Sequence, residues 1–169
     1  LTRAHELRGL QGDSPLETAA LYRLLLAVLH STLRGPKKKA EWAELWQKGQ
    51  WEPSLINSYL DQWRERFDLF HPDRPFYQNI NEPSRPKSIV LLAHSMVTSD
   101  TLFDHHPPSD GEFFTCDKAA RALITAHSFG LSGIYIPRPF TRYEFGPWSE
   151  GIVFFVEGES LFETLALNM

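Results

Sequence analysis

The chain has one cysteine, no long apolar run and no excess of positive charge. A single cysteine, Cys116, rules out an internal disulfide and fits a reducing cytoplasm. No stretch approaches the roughly 18 consecutive apolar residues of a membrane-spanning helix. The opening LTRAHELRGL lacks the apolar centre of a secretory signal. A net charge of −4 argues against an autonomous nucleic-acid binder, which is usually basic. It still permits a subunit whose partners neutralise the phosphate backbone. No repeats or low-complexity tracts stand out. No His-x-x-x-His pair, Walker loop or GxGxxG fingerprint is present.

What is present is a core-forming composition. Of 169 residues, 42% are apolar and 13% aromatic, enough to bury a sizeable core in one domain. The 12 prolines and 10 glycines fall between periodic segments and predict long loops. Ser14-Pro15-Leu16-Glu17 is a capping box with proline at the first helical position. The helix it opens, about Pro15 to Ser31, is apolar nearly all round and reads as the central core helix, ended by Gly35-Pro36. A short helix follows with Trp42, Leu45 and Trp46 on one face and Gly49 as its stop. Pro53 starts a third helix, with Leu55, Ile56, Tyr59, Leu60, Trp63 and Phe67 at helical spacing and Asp61, Arg64 and Glu65 facing solvent.

The segment FDLFHPDRPFYQ then reads as an extended connection with four aromatics to bury. Ile89 to Ala93 is a short apolar run leaning towards a helix start. Ile134 to Trp148 is aromatic and irregular. Ile152 to Val156 (IVFFV) is the best strand. Ser160-Leu161-Phe162-Glu163 is a second capping box, with no stop signal read before Met169. The expectation is an α+β fold, helix-dominated with few short strands. It reads as an internal piece of a longer protein.

The organising stretch runs from Leu102 to Gly133. A His-, Asp- and Pro-rich loop enters a helix over 117–129, which Gly130 is expected to end in the left-handed conformation. Thr115 or Asp117 can cap its start. Lys118, Arg121, Thr125 and Ser128 step along one polar stripe, and alanines, Leu123 and Ile124 cover the rest. This pattern predicts a buried rod with a recognition loop at each end.

Four places offer chemistry. Asp104, His105 and His106 together suit a metal-dependent hydrolase, although a lone His-His beside prolines is more often a structured loop. Cys116 sits in the first helical turn, but Asp117 opposes a thiolate and His127 lies too far along the helix, which favours a buried structural cysteine. Lys37, Lys38 and Lys39 form a solvated basic loop or a phosphate contact. Gly130-Leu131-Ser132-Gly133 reads, from spacing alone, as a helix cap and turn.

In order, LYRLLLAVLH, FDLFHPDRPFYQ, LFDHH, AARALITAHSFGLSG and FFVEGESLFETLALN resemble the CasA large-subunit family of the type I-E CRISPR Cascade surveillance complex. The resemblance implies that residues 1–169 belong to one N-terminal domain, truncated at both ends, without the C-terminal four-helix bundle. It also implies a subunit with no catalysis, cofactor or metal of its own. Such a subunit recognises the motif flanking a DNA target and helps recruit the helicase-nuclease. Expected partners are the other Cascade subunits, the guide RNA and double-stranded target DNA. Phe103, Asp104, His105 and His106 would form the loop near the guide's 5′ end. Gly130, Ser132 and Gly133 would approach the minor groove, reversing the reading from spacing. Ile134, Tyr135 and Ile136 depart from the denser glycine run of some members. A purely structural assembly module is the remaining alternative.

Overall fold

The computed structural model describes residues 1–80, 92, 114–130 and 146–169. These residues are helix-dominated, and none of them is in a strand. The chain divides into two compact units. The first is Leu1–Arg64 with Gly151–Met169; the second is Glu65–Glu150.

In the first unit, α1 spans Pro15–Leu33. Ser14 caps it as its sequence predicts: the Ser14 hydroxyl accepts the Glu17 amide at 3.1 Å. It runs two residues further than expected, and the left-handed residue at its end is Arg34 (φ 54°), one position before Gly35. α2 spans Lys39–Lys48 and ends at Gly49 (φ 65°), where the absence of a Cβ makes the left-handed turn cheap. α3 spans Pro53–Gln62 and is followed by a 3₁₀ turn over Arg64–Phe67. Of the residues at helical spacing on α3 only Ile56 is buried; Leu55, Trp63 and Phe67 are exposed.

The final helix, α5, spans Leu161–Leu167, and it is the centre of this unit. Leu161, Phe162, Leu165 and Ala166 join Ala4, Leu29, Trp51 and Ile56 in one apolar cluster. The long α1 is therefore not the most buried helix: only Ala20, Val28 and Leu29 are buried on it. A 19-residue helix that is apolar all round presents more surface than a unit of this size can cover. Trp42 of α2 donates its indole N–H to the Ala166 carbonyl at 2.7 Å, tying α2 to α5. Trp51 packs on Phe162 with ring centroids 4.6 Å apart, although its own Nε1 is buried without a hydrogen-bond partner. Such an orphan costs about 1–3 kcal/mol, and the ring's apolar area outweighs it.

The two capping boxes belong to a short recurrence within the chain, contrary to the expectation of none. Residues 12–18 read GDSPLET and residues 158–164 read GESLFET. In each, the glycine amide donates to the threonine hydroxyl six residues on, at 2.9 Å for Gly12–Thr18 and 3.0 Å for Gly158–Thr164. In the second copy the Glu163 carboxylate also accepts the Glu159 amide at 2.6 Å. The overlooked stop of α5 is Asn168. Its side-chain N–H donates to the Thr164 carbonyl and to the Val156 carbonyl, while its Oδ1 accepts the Val156 amide.

That asparagine explains the fate of the expected strand. Residues 152–156 are not in a strand, and among the described residues the partner of the Val156 backbone is the Asn168 side chain. Alternation survives: Phe155 packs on Tyr22 (centroids 5.8 Å), whereas Ile152 and Phe154 are 82% and 84% exposed. A strand is defined by its ladder, so a β-rich run without a neighbour stays unassigned.

Two substitutions separate centre from periphery. Phe162→Ala should cost about 3–5 kcal/mol in urea denaturation, and Leu16→Ala on exposed α1 surface should stay within about 0.5 kcal/mol. Equal losses would show that α5 is not the unit's core.

Candidate nucleic-acid interface

In the second unit α4 spans Cys116–Phe129, matching the expected helix to within one residue at its start. Its faces differ from the expected ones. Thr125 and Ser128, predicted for a polar stripe, are among its buried residues, with Ala119 and Ile124. Each hydroxyl finds its partner within the helix: Thr125 Oγ1 donates to the Arg121 carbonyl at 2.8 Å and Ser128 Oγ to the Ile124 carbonyl at 2.9 Å. A hydroxyl satisfied in this way can be buried at little cost, which spacing alone does not reveal. The first turn is exposed, so the helix is a rod buried along one side and towards its end.

Cys116 is exposed, which corrects the expectation of a buried thiol. His127 lies on the same helix, roughly 16 Å further along the axis, so the two cannot form a nucleophile–base pair. Thr115 is the N-cap residue but makes no side-chain cap. Instead its hydroxyl bonds the Asp117 carboxylate, and this together with the Arg121 guanidinium (2.7 Å) holds the Asp117 carboxyl below its ordinary value. His127 Nε2 donates to the Tyr77 carbonyl at 2.8 Å, with the two rings edge to face. Tyr77 has φ 55°, a left-handed conformation costing a non-glycine residue about 1–2 kcal/mol, and His127 and Phe76 brace it. Of the four aromatics expected to bury in this segment only Phe76 does; Phe70 is exposed.

The C-terminus of α4 carries Gly130, the first of the predicted glycines. Gly130 has φ −57° and ψ 130°, so it is not the left-handed stop. The helix ends differently. The returning chain at Gly146–Trp148 caps it: the Gly146 amide donates to the Gly130 carbonyl at 2.8 Å and the Trp148 amide to the Ser128 carbonyl at 3.0 Å. Carbonyls of a last helical turn lack intrahelical partners, and here backbone amides supply them. The returning segment is itself a turn, Gly146-Pro147-Trp148-Ser149, with proline at its second position. The Gly146 carbonyl accepts both the amide (3.0 Å) and the hydroxyl (2.7 Å) of Ser149. Trp148 also packs on Phe129, centroids 5.7 Å apart. Gly-Pro followed by Ser was the available signal for this turn.

Among the predicted site residues, Gly130 is thus placed at the capped end of α4. Phe103, Asp104, His105, His106, Ser132 and Gly133 lie outside the described residues, as does most of Ile89 to Ala93. Lys37, Lys38 and Lys39 are exposed at the start of α2 in the other unit. Lys38 makes no side-chain cap, and the Lys37 amide donates to Glu41 at 2.8 Å. No group of three metal-ligating side chains is found among the described residues, and no described helix is long and apolar enough to cross a membrane.

The family model for the CRISPR-associated protein Cse1 matches residues 1–169. The chain belongs to the Cse1 family. It is 38% identical over 177 residues to the CasA/Cse1 protein of Thermus thermophilus, covering 100% of this chain and 34% of that protein. Among solved structures, Thermus thermophilus CasA matches at TM-score 0.82 and 34% identity, over 99% of this chain and 34% of its own. Thermobifida fusca Cse1 matches with the same values. A chain of a CRISPR RNA-guided surveillance complex matches at TM-score 0.82 and 27% identity, over 98% of this chain and 37% of its own. The chain therefore spans about a third of the length of these Cse1 relatives.

Asp117 provides a pH test of the start of α4. A depressed carboxyl adds stability that is present above its unfolded value near pH 4 and is lost as pH falls through the folded value. Asp117→Asn should therefore melt lower than the parent at about pH 7, and the two should converge once pH falls below the folded value of Asp117. A gap that persists in acid would remove Thr115 and Arg121 as the cause.

Proposed function

We propose that the chain is part of a non-catalytic subunit of an RNA-guided CRISPR surveillance complex. That subunit recognises the short motif flanking a foreign DNA target and helps recruit the helicase-nuclease. The observation that carries this reading is the match of nearly the whole chain to a chain of such a complex, joined to Cse1 membership. Its partners are then the other Cascade subunits, the guide RNA and double-stranded target DNA, in the cytoplasm, with no cofactor. Residues 1–169 form part of one N-terminal domain of it.

Within this reading Gly130, Ser132 and Gly133 approach the minor groove. That groove offers a degenerate pattern of acceptors and few donors, so close backbone approach suits permissive reading of a short motif. Target sequence is read by pairing with the guide, as in other RNA-guided effectors. Phe103, Asp104, His105 and His106 contact the complex near the guide's 5′ end. Lys37, Lys38 and Lys39 contact phosphate. Cations at a helix N-terminus oppose the macrodipole at a cost of about 0.3–1 kcal/mol each, so helix stability is not what favours lysine there. A net charge of −4 is tolerable where neighbouring subunits neutralise the backbone.

The test is target binding by the assembled complex. Gly130→Val with Gly133→Val in the full-length subunit should weaken binding roughly tenfold or more and flatten the preference among flanking motifs. Replacing the three lysines with alanine should instead lower the salt dependence, by up to about 0.9 in log–log slope per phosphate contact, and leave the preference intact. Unchanged affinity across all motifs in the glycine variant would refute the reading.

A further inference from the structure

The turn that caps α4 has a steric requirement at one position. A Cβ added to Gly146 would lie 2.6 Å from the Ser128 carbonyl oxygen, 2.7 Å from its carbon and 2.8 Å from the Gly130 amide nitrogen. All three atoms are backbone, at the end of a helix where Ser128 is buried. None can swing aside as the tip of a flexible side chain would. Nothing in the conformation of Gly146 demands glycine by a positive φ; the demand is for closeness. The closeness has a definite consequence. It brings Gly130 and Gly146 within one backbone hydrogen bond of each other, Gly146 N to Gly130 O at 2.8 Å.

We propose that Gly146 is a positioning residue for recognition of the flanking motif: its missing side chain lets Gly146 and Gly130 close into a backbone-bonded neck, and so fixes where Gly130 presents its backbone. This rests on the reading of the Gly130 loop as the motif reader. The neck has three further supports. The Ser149 hydroxyl and amide hold the Gly146 carbonyl, the Trp148 amide holds Ser128, and the Trp148 ring packs on Phe129. A methyl group at position 146 forces Ser128 and Gly130 apart from the turn and breaks at least one of the two capping bonds. Gly130 then moves away from Gly146 while the sequence at Gly130, Ser132 and Gly133 is untouched. Reading a minor groove by close backbone approach needs placement to better than about 1 Å, because amide–carbonyl bonds weaken steeply outside a narrow range.

The experiment compares full-length subunits carrying Gly146→Ala, Gly146→Val or Gly151→Ala, each assembled into the complex. Gly151 is the control, since a Cβ there meets nothing within 4 Å. Two quantities are read: incorporation into the complex by native mass spectrometry, and the ratio of affinities for target duplexes with preferred and non-preferred flanking motifs. The expected result is normal incorporation of all three, an affinity ratio reduced roughly tenfold by Gly146→Val and less by Gly146→Ala, and no change for Gly151→Ala. A Gly146→Val complex that incorporates and discriminates like the parent overturns the proposal. So does failure of even Gly146→Ala to incorporate, which would make the turn a folding element only. Gly130→Val with Gly133→Val is run alongside. If that variant discriminates normally, the reading of the loop itself fails; if it loses discrimination while Gly146→Val keeps it, only the neck does.

Discussion

Two backbone carbonyls at the end of α4, those of Ser128 and Gly130, set the terms for the second unit. Each accepts an amide from the returning chain, at Trp148 and Gly146. Left unpaired and buried, such carbonyls would cost about 1–3 kcal/mol each. The need to satisfy them explains why Gly146 lacks a side chain and why Pro147 preforms the turn. It also explains why Gly130 is extended and not left-handed. The buried hydroxyls of Thr125 and Ser128 are themselves satisfied one helical turn back. The two capping bonds fix Gly130 and Gly146 relative to the end of α4, so ordering this backbone costs little further conformational entropy.

The first unit obeys a different constraint. Its seven-residue α5 is buried far more completely than its 19-residue α1. α5 is short enough to be surrounded, by Trp42, Trp51, Ile56 and the segment that includes Ala4 and Leu7. The backbone joins in: the Leu161 amide donates to the Leu7 carbonyl at 2.7 Å. Both α1 and α5 enter through the same seven-residue phrase, Gly-acid-Ser-x-x-Glu-Thr, with the same glycine-to-threonine hydrogen bond. Exposed Ile152, Phe154 and Val156 form an apolar outer edge on a chain that spans about a third of its relatives' length.

Local signals in the sequence proved legible where the physics is local. The capping serines at 14 and 160, Gly49 and the bounds of α4 follow from the groups that start and stop a helix within one turn. Burial was harder to read. Thr125 and Ser128 look like a solvent stripe until their intrahelical hydrogen bonds are known, and Cys116 looks like a core residue until the first turn proves exposed. The IVFFV run has strand chemistry, but a strand also needs a neighbour, and at Val156 that place is taken by Asn168. For the candidate site, Gly130 lies where the sequence put it, at the end of α4. The steric constraint at Gly146 is not legible in the sequence because it comes from atoms 16 to 18 residues earlier in the chain. The family resemblance supplied what spacing could not, since no single motif in LFDHH or FGLSG has a specific chemistry.

Amide hydrogen exchange of the 169-residue chain, resolved by residue with NMR, tests the capped end of α4 most directly. The account predicts that the Gly146 and Trp148 amides exchange as slowly as the amides in the last turn of α4, because they belong to the same hydrogen-bonded unit. Exchange of both at the rate of an unstructured peptide, with α4 itself protected, would contradict it.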